Sequence, residues 1–195
     1  VENHTRKTNP LVDYGPFGKH LLPEKIEAGG ENLYYEGMAK NSGLVMACGC
    51  GHAVDTEEYH VKEGTEGKQA WIEYEMEGKE GEKRIFFKWI AYTSVLDWKE
   101  GGREKMEPFI REVLHRAKEE GFEELLKKQK AYMEAFWEKA DVKIVGDERL
   151  QQGIRFNLFH VMQALGRDGR TGMGAKGLSG EGYEGHYFWD TEMYV

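Results

Sequence analysis

The sequence predicts an α+β protein of more than one domain, in which an antiparallel β-structure precedes a series of helices. Two observations support this prediction. In residues 1–100 the apolar residues stand in short runs or alternate with charged ones, as they do in strands. Near residue 100 the period changes, and apolar residues then recur at helical spacing. An antiparallel sheet that belongs to a β-sandwich is the simplest account of the first part.

Strands are predicted at four places in the first hundred residues. Their ranges are 33–35, 43–50, 70–76 and 83–93. In the third, Ile72, Tyr74 and Met76 alternate with glutamates, as on a strand with one exposed face. The glycine-containing segment 77–82 predicts a hairpin turn, after which 84–92 returns as the partner of that strand.

Two helical stretches follow a glycine linker at residues 98–102. The first is predicted at 107–120, with Pro108 in its first turn, where the missing N–H of proline costs no hydrogen bond. Gly121 is expected to stop or kink this helix, and a second stretch covers 122–140. Charged residues fill the opposite face of both stretches, which predicts a solvated face.

A third helix is predicted between Asp147 and Gly166. The Asp147 carboxylate can accept hydrogen bonds from the free backbone N–H groups of the first turn, as an N-cap does. Apolar residues cover so wide an arc of this helix that we expect neighbouring elements to bury it.

Composition and charge exclude several classes of partner. The chain has 195 residues, of which 39% are hydrophobic and 12% aromatic, so material for a core is present. Its formal net charge of -8 argues against nucleic acid or an anionic membrane surface as the main partner. No apolar run approaches the roughly 18 residues that a membrane span needs. The N-terminus has neither an initiator Met nor an apolar signal stretch, and we expect a chain that is cut at both ends.

The two cysteines of the chain, Cys48 and Cys50, are followed by His52. On a strand the two would share a face with Cα atoms about 6.6 Å apart, near the upper limit for a disulfide. A zinc site would need a fourth ligand, and zinc ligands usually follow a Cys-x2-4-Cys spacing. We interpret the pair as two half-buried thiols and predict no metal site. Low cysteine use without a signal stretch fits a cytoplasmic location.

A glycine-rich loop at residues 167–185 leads into a cluster of aromatic rings. A loop of this length is uncommon in a compact domain unless it has a function. The rings of Tyr183, His186, Tyr187, Phe188 and Trp189 are interleaved with the carboxylates of Glu181, Glu184, Asp190 and Glu192. Flat rings can stack on the apolar faces of a pyranose while carboxylates accept from its hydroxyls, so the cluster suits a sugar site. On pattern alone, an N-cap role for Asp190 and a core role for Trp189 stay open.

Three segments near the C-terminus resemble glycoside hydrolase family 65. They are 151–160 (Gln-Gln-Gly-Ile-Arg-Phe-Asn-Leu-Phe-His), 166–171 and 175–192, the last of which contains Phe-Trp-Asp-Thr-Glu. Residues 131–142 are similar to the linker helix that precedes the family's catalytic domain, and residues 1–100 resemble its N-terminal β-sandwich more loosely. The family fold is a β-sandwich, a helical linker, an (α/α)6 barrel and a small C-terminal β-domain.

The resemblance implies that this chain holds parts of three of these regions. Residues 1–100 would be part of the N-terminal β-sandwich, and residues 101–146 the helical linker. Residues 147–195 would be the start of the (α/α)6-barrel catalytic domain. The expected fold class is therefore an α+β multidomain fragment.

The resemblance also implies a reaction. The family includes maltose, trehalose, kojibiose and nigerose phosphorylases, so the complete protein is expected to cleave an α-linked glucose disaccharide of the maltose type. Cleavage would use inorganic phosphate as co-substrate and no cofactor, and would proceed with inversion to β-glucose 1-phosphate and a sugar. Family members are often dimers, which makes a homodimer the expected assembly. A hydrolase of the same α-glucosides and a noncatalytic carbohydrate-binding module remain alternatives.

In the family the Phe-Trp-Asp stretch lines the subsite for the non-reducing glucose. Carried over to this chain, the resemblance assigns substrate binding to Phe188, Trp189 and Asp190. Further pocket residues are expected at His186, Tyr187 and Glu192. The family's general acid and phosphate-binding residues are expected beyond Val195, so no catalytic residue is assigned here. The isolated chain is expected to be inactive and to aggregate.

Overall fold

The computed structural model describes residues 21–166, 172–178 and 188–189. They fall into two compact units: the first comprises the described residues up to Gln129, and the second those from Lys130 onward. In these ranges no helix combines the length and the apolar character that crossing a membrane requires. The domain boundaries expected near residues 100 and 146 stay predictions.

Six strands form the β-structure of the first unit. They are β1 (Leu21–Gly29), β2 (Asn32–Ala39), β3 (Val45–Val54), β4 (His60–Glu66), β5 (Gln69–Glu75) and β6 (Phe86–Ser94). Four of them form an antiparallel sheet in the order β1-β2-β3-β6, and β4 pairs with β5 in a separate antiparallel ribbon. The predicted antiparallel β-structure ahead of the helices is confirmed.

The predicted hairpin between the strands at 70–76 and 83–93 is wrong. β5 pairs with β4 instead, across a two-residue turn in which Gly67 has a φ of 58°. So short a turn closes with little loss of chain entropy, and glycine adopts positive φ without strain. β6 pairs with β3, which allows Trp89 and Ala91 to join the apolar core.

The sequence pattern does not predict β1 and β4. In β1 the register with β2 shifts between Pro23 and Lys25, so side chains change face within the strand and the period of two is lost. β4 carries mainly charged and small residues. Pairing with a neighbour, rather than local pattern, makes both segments strands.

One face of the four-stranded sheet packs against a long helix, α1 (Gly102–Ala140). Met106 and Ile110 are fully buried, and they form the core with sheet residues that include Tyr34 and Ala47. The contact is close because Gly49 has no side chain: a Cβ there would overlap the Ile110 side chain. Burial of this kind contributes about 25 cal/mol per Å² of apolar surface removed from water.

The two predicted helices at 107–120 and 122–140 correspond to the two parts of α1, which meet at a kink, and the first part begins earlier than expected. Pro108 therefore lies beyond the first turn, which corrects its predicted place. Gly121 has non-helical backbone angles of φ 75° and ψ 165°, so the predicted interruption at this glycine is confirmed.

The second unit contains α2 (Glu148–Ala164), and the predicted N-cap is confirmed. The Asp147 carboxylate accepts hydrogen bonds from the backbone N–H groups of Arg149 and Leu150 at 2.9 and 3.0 Å. The helix ends one residue earlier than expected, with Leu165 as its C-cap. The expected burial of its wide apolar arc is not observed, since Phe156 is 60% exposed. The described residues supply too few neighbours to cover this arc.

Candidate functional site

The sequence-predicted sugar site is only partly within the described residues. Phe188 and Trp189 are described, with 39% and 78% of their surface exposed. Trp189 therefore does not belong to a hydrophobic core in this structure. The other four predicted site residues lie outside the described ranges: His186, Tyr187, Asp190 and Glu192. The assignment of all six residues to a site stays a prediction.

The described part of the preceding loop passes close to the end of α2. A turn covers residues 175–178, in which Gly177 has a φ of 54° and donates its N–H to the Gly174 carbonyl at 2.8 Å. A Cβ at Gly177 would lie 3.2 Å from the Cβ of Ala164. Glycine thus serves both the left-handed backbone and the close approach. The C-terminal end of α2 is the support for this loop.

A set of polar contacts joins α2 to the segment before it. The Gln151 side chain accepts from the Ile144 N–H at 2.8 Å and donates to the Val142 carbonyl at 2.9 Å. Arg155 donates to both carboxylate oxygens of Asp141, at 2.7 and 2.6 Å. The hydrogen bonds from Arg155 lower the pKa of the Asp141 carboxyl group. We call these contacts of Gln151 and Arg155 the α2 joint.

The α2 joint gives a structural role to two residues of the segment that carries the family resemblance. The sequence analysis assigned no role to Gln151 or Arg155. The partners of Gln151 lie 7 and 9 residues away, and the partner of Arg155 lies 14 residues away, beyond a bend in the chain. A glutamine that satisfies two backbone groups outside a helix replaces the partners that regular structure would provide. Both residues hold α2, which supports the loop, to the segment before it.

Aromatic rings also lie together on α2. His160 is 4.2 Å from Phe156 and 5.8 Å from Phe159, measured between ring centroids. These contacts fit a His160 ring that packs on its neighbours in the same helix. Leu150 of the same helix is 59% exposed, so this helix presents apolar surface as well as rings to its surroundings.

The first unit holds a cluster in which two carboxylates fasten the β4–β5 ribbon to the turn between β1 and β2. Glu31 accepts from the hydroxyls of Tyr59 and Tyr74, both at 2.9 Å. Glu63 accepts from the backbone N–H groups of Gly30 and Glu31, at 2.8 and 3.0 Å. We call this cluster the carboxylate clasp. The hydrogen bond to Glu31 raises the pKa of Tyr59, while burial is the main cause of the raised pKa of Tyr74.

His52 adjoins the carboxylate clasp without sharing its carboxylates. Its backbone N–H donates to the Glu31 carbonyl at 3.2 Å, and its ring lies 5.7 Å from that of Phe86. Burial lowers the pKa of the His52 imidazole, which favours the neutral ring. Among the described residues no group of three or more His, Cys, Asp or Glu side chains is placed to hold a metal ion.

A buried carboxylate, that of Glu36, fixes the start of α1 to β2. Glu36, 5% exposed, accepts from the Arg103 Nε at 2.7 Å and from the Tyr34 hydroxyl at 3.1 Å. Burial and the neighbouring Glu36 carboxylate raise the pKa of Tyr34. Both carboxylate oxygens are thus occupied by protein donors. Glu36, like Glu31, holds elements together and is not available as a general acid.

A cavity of about 270 Å³ lies between the four-stranded sheet and the ribbon. Tyr35, Cys48 and Cys50 line it from the sheet, and residues 68–70 line it from the ribbon. Both cysteines are free and half-buried, which confirms the interpretation of the pair as thiols on one strand face. Burial raises the pKa of both thiols, so neither is predisposed to act as a nucleophile.

Comparison with known proteins gives matches along most of the chain. A family model described as glycosyl hydrolase family 65, N-terminal domain, matches residues 3–136, and one described as the family's central catalytic domain matches residues 155–195. The chain is 40% identical over 157 residues to alpha,alpha-trehalose phosphorylase from Thermoanaerobacter brockii, covering 80% of this chain and 20% of that protein. It is 47% identical over 76 residues to kojibiose phosphorylase from Caldanaerobacter subterraneus subsp. tengcongensis, covering 38% of this chain and 10% of that protein.

A solved structure gives the corresponding comparison of folds. It is described as a candidate kojibiose phosphorylase from the human microbiome, and it matches with a TM-score of 0.72 at 25% identity. The match covers 90% of this chain and 23% of that one. The predicted fold class, a sandwich-like antiparallel β-domain followed by helix, is confirmed by this likeness. The chain spans less than a quarter of the length of each of these three proteins.

Proposed function

Because the chain belongs to glycosyl hydrolase family 65, we propose that the complete protein containing it is an inverting phosphorylase of α-linked glucose disaccharides. The products are β-glucose 1-phosphate and a free sugar. The observation that carries this proposal is the extended similarity to proteins named as trehalose and kojibiose phosphorylases. Phosphate is the second substrate, and the reaction uses no cofactor.

In this proposal the residues that the reaction requires are divided between this chain and the rest of the protein. Inversion needs an acid that protonates the leaving oxygen and a nucleophile that attacks from the opposite face of the sugar. Phosphate is already anionic at neutral pH, so the reaction needs no general base to activate it. The general acid and the phosphate-binding residues belong, in this proposal, to the protein beyond Val195.

The part assigned to this chain is recognition of the non-reducing glucose. Asp190 accepts hydrogen bonds from glucose hydroxyls, while Phe188 and Trp189 shape the subsite around the ring. Charge-assisted hydrogen bonds to a carboxylate are about twice as strong as neutral ones, so such a residue orients the sugar as well as binding it. The high exposure of Trp189 supports this role, because its ring is not occupied by core packing. The outer pocket residues of the proposal are His186, Tyr187 and Glu192.

The substrate within this class is the finer part of the proposal. The relatives are named for trehalose, kojibiose and maltose, and the sequence analysis gives only the class of an α-linked, maltose-type glucose disaccharide. Trehalose is the first substrate to assay, since the trehalose phosphorylase match covers twice as much of the chain as the kojibiose phosphorylase match does, 80% against 38%. We further propose a homodimer in the cytoplasm, which light scattering and cell fractionation can test.

The deciding experiment uses the complete protein with trehalose, kojibiose, maltose and nigerose, each with and without phosphate. β-Glucose 1-phosphate and free glucose are measured separately. Phosphate-dependent β-glucose 1-phosphate from one disaccharide supports the proposal and identifies the substrate. Glucose release that does not depend on phosphate contradicts it in favour of a hydrolase. Binding of these sugars without turnover contradicts it in favour of a noncatalytic module.

A further inference from the structure

We propose that the β4–β5 ribbon is a strap that closes the cavity containing Cys48 and Cys50, and that the carboxylate clasp holds this strap shut. The inference rests on the hydrogen bonds that attach the ribbon to the β1–β2 turn, and on the cavity that residues 68–70 share with both thiols. It does not depend on the proposed enzymatic activity.

The ribbon has no ladder of backbone hydrogen bonds to the four-stranded sheet. β4 and β5 pair with each other and with none of the other described strands. A two-stranded ribbon is marginally stable by itself in water, so its position depends on side chains. The carboxylate clasp provides four hydrogen bonds between the ribbon side and the β1–β2 turn, each of them to a carboxylate oxygen.

Both carboxylates of the clasp act through the turn between β1 and β2. Gly30 and Glu31 both have left-handed backbone angles, with φ of 59° and 61°. Such a φ is uncommon for a residue with a side chain, and Glu63 stabilises it by accepting from both N–H groups. In this turn conformation the Glu31 carboxylate accepts hydrogen bonds from the hydroxyls of Tyr59 and Tyr74. Loss of either carboxylate therefore weakens the attachment of the whole ribbon.

The tip of the ribbon lies across the cavity from the thiols. The turn after β4 brings Lys68, Gln69 and Ala70 to the cavity, opposite the strand face that carries Cys48 and Cys50. At about 270 Å³ the cavity has room for small reagents, but the thiols are only half exposed in the closed arrangement. A local opening of the ribbon uncovers both sulfur atoms without disturbing the core between the sheet and α1.

Alkylation of the thiols by iodoacetamide measures this opening. Each thiolate sulfur forms a bond to the reagent's methylene carbon, iodide leaves, and the thiol proton goes to solvent. Trypsin places both cysteines in the peptide between Lys40 and Lys62, so mass spectrometry reads their alkylation even in the complete protein. We expect Glu31→Gln and Glu63→Gln each to raise the alkylation rate about tenfold, because local opening then costs less free energy.

Glu73→Gln is the matched control. Glu73 lies on the same ribbon but pairs with Lys62 at the surface and takes no part in the clasp. Its substitution should leave the rate within about twofold of the unmodified protein. An equal rise in this variant, or no rise in the two clasp variants, would overturn the proposal. So would thiols that react in the unmodified protein as fast as in the denatured chain.

A milder change separates local opening from unfolding. Tyr59→Phe removes one hydrogen bond of the clasp and keeps the ring that packs on Tyr74. Hydrogen exchange should then increase in residues 60–75 and remain slow in β3 and in the first half of α1. If exchange increases in the ribbon, in β3 and in α1 together, the ribbon does not open independently of the core. That result would refute the proposal.

Discussion

The two units of this chain hold their helices in place by different means. In the first, α1 is attached through apolar burial: Met106 is 0% and Ile110 1% exposed against the sheet. In the second, Met162 is the only buried residue of α2 (8% exposed), and polar contacts from Asp147, Gln151 and Arg155 set the helix start and the joint. The first unit therefore has a hydrophobic core of its own, whereas α2 in the second unit leaves apolar side chains exposed.

A matched pair of truncations should give the largest difference between the units. Ile110→Ala is expected to lower the free energy of unfolding by about 3 kcal/mol, because it removes buried methylenes and leaves a cavity. Phe156→Ala removes a larger side chain but one that is 60% exposed, and it should cost less than about 1 kcal/mol. Urea unfolding of the chain, at a concentration where size exclusion shows a monomer, followed by circular dichroism measures both. Equal losses would contradict the distinction between a buried and an exposed helix.

Substitution of a predicted substrate-binding residue in the second unit should lower the activity. Asp190→Asn in the complete protein is expected to lower kcat/KM for the disaccharide about 100-fold, since a charged acceptor for glucose hydroxyls is lost. The thermal midpoint should not change. Leu178→Ala, in the same unit and 70% exposed, is the control and should keep its activity. Activity of Asp190→Asn close to that of the unmodified enzyme would remove Asp190 from the proposed subsite.

The α2 joint should show a smaller, local effect. Gln151→Ala leaves the Ile144 N–H and the Val142 carbonyl without their side-chain partner, at a cost of about 1 kcal/mol. Hydrogen exchange should rise in residues 141–147 and not in the first unit. Gln152→Ala changes the exposed neighbouring glutamine and should leave exchange as it is. Faster exchange in both variants would mean that helix propensity, not the joint, is being measured.

The smallest expected effect is a dependence of first-unit stability on pH. Burial keeps the pKa of His52 below its value in the unfolded chain, which is about 6.5. Between these two pKa values the unfolded state binds more protons, so stability is complete above about pH 6.5 and falls as the pH drops through the folded pKa. Urea unfolding from pH 7.5 to 5 should show this fall, and His52→Gln should flatten it. An unchanged slope in that variant would assign the dependence to other groups.

Local signals account for the features that the sequence predicts correctly. The Asp147 cap and the interruption at Gly121 depend on groups within one helical turn, and the alternation around Tyr74 depends on neighbours two residues away. For the candidate site, pattern indicates only a mixture of rings and carboxylates. Its assignment to Phe188, Trp189 and Asp190 comes from resemblance, because a sugar subsite is built from residues that meet only in the folded protein.

Long-range contacts account for what the sequence does not predict. β6 pairs with residues of β3 that lie 32 to 48 positions before it, and the carboxylate clasp joins residues 28 to 43 positions apart. A glutamate such as Glu31 has the same local pattern whether it faces solvent or two tyrosines. The α2 joint has the same character, since Arg155 meets Asp141 only after the chain bends.

The sequence by itself determined the α+β class, the order of strands before helices, the helix cap and the family. These depend on periodicity, on the conformational range of single residues, and on runs of residues that are similar in related proteins. Tertiary structure alone decided which strands pair, which face of the sheet α1 covers and which carboxylates are bound by protein donors. The reason is that each of these choices depends on the free energy of burying one surface against another, and that energy is fixed only when distant segments meet.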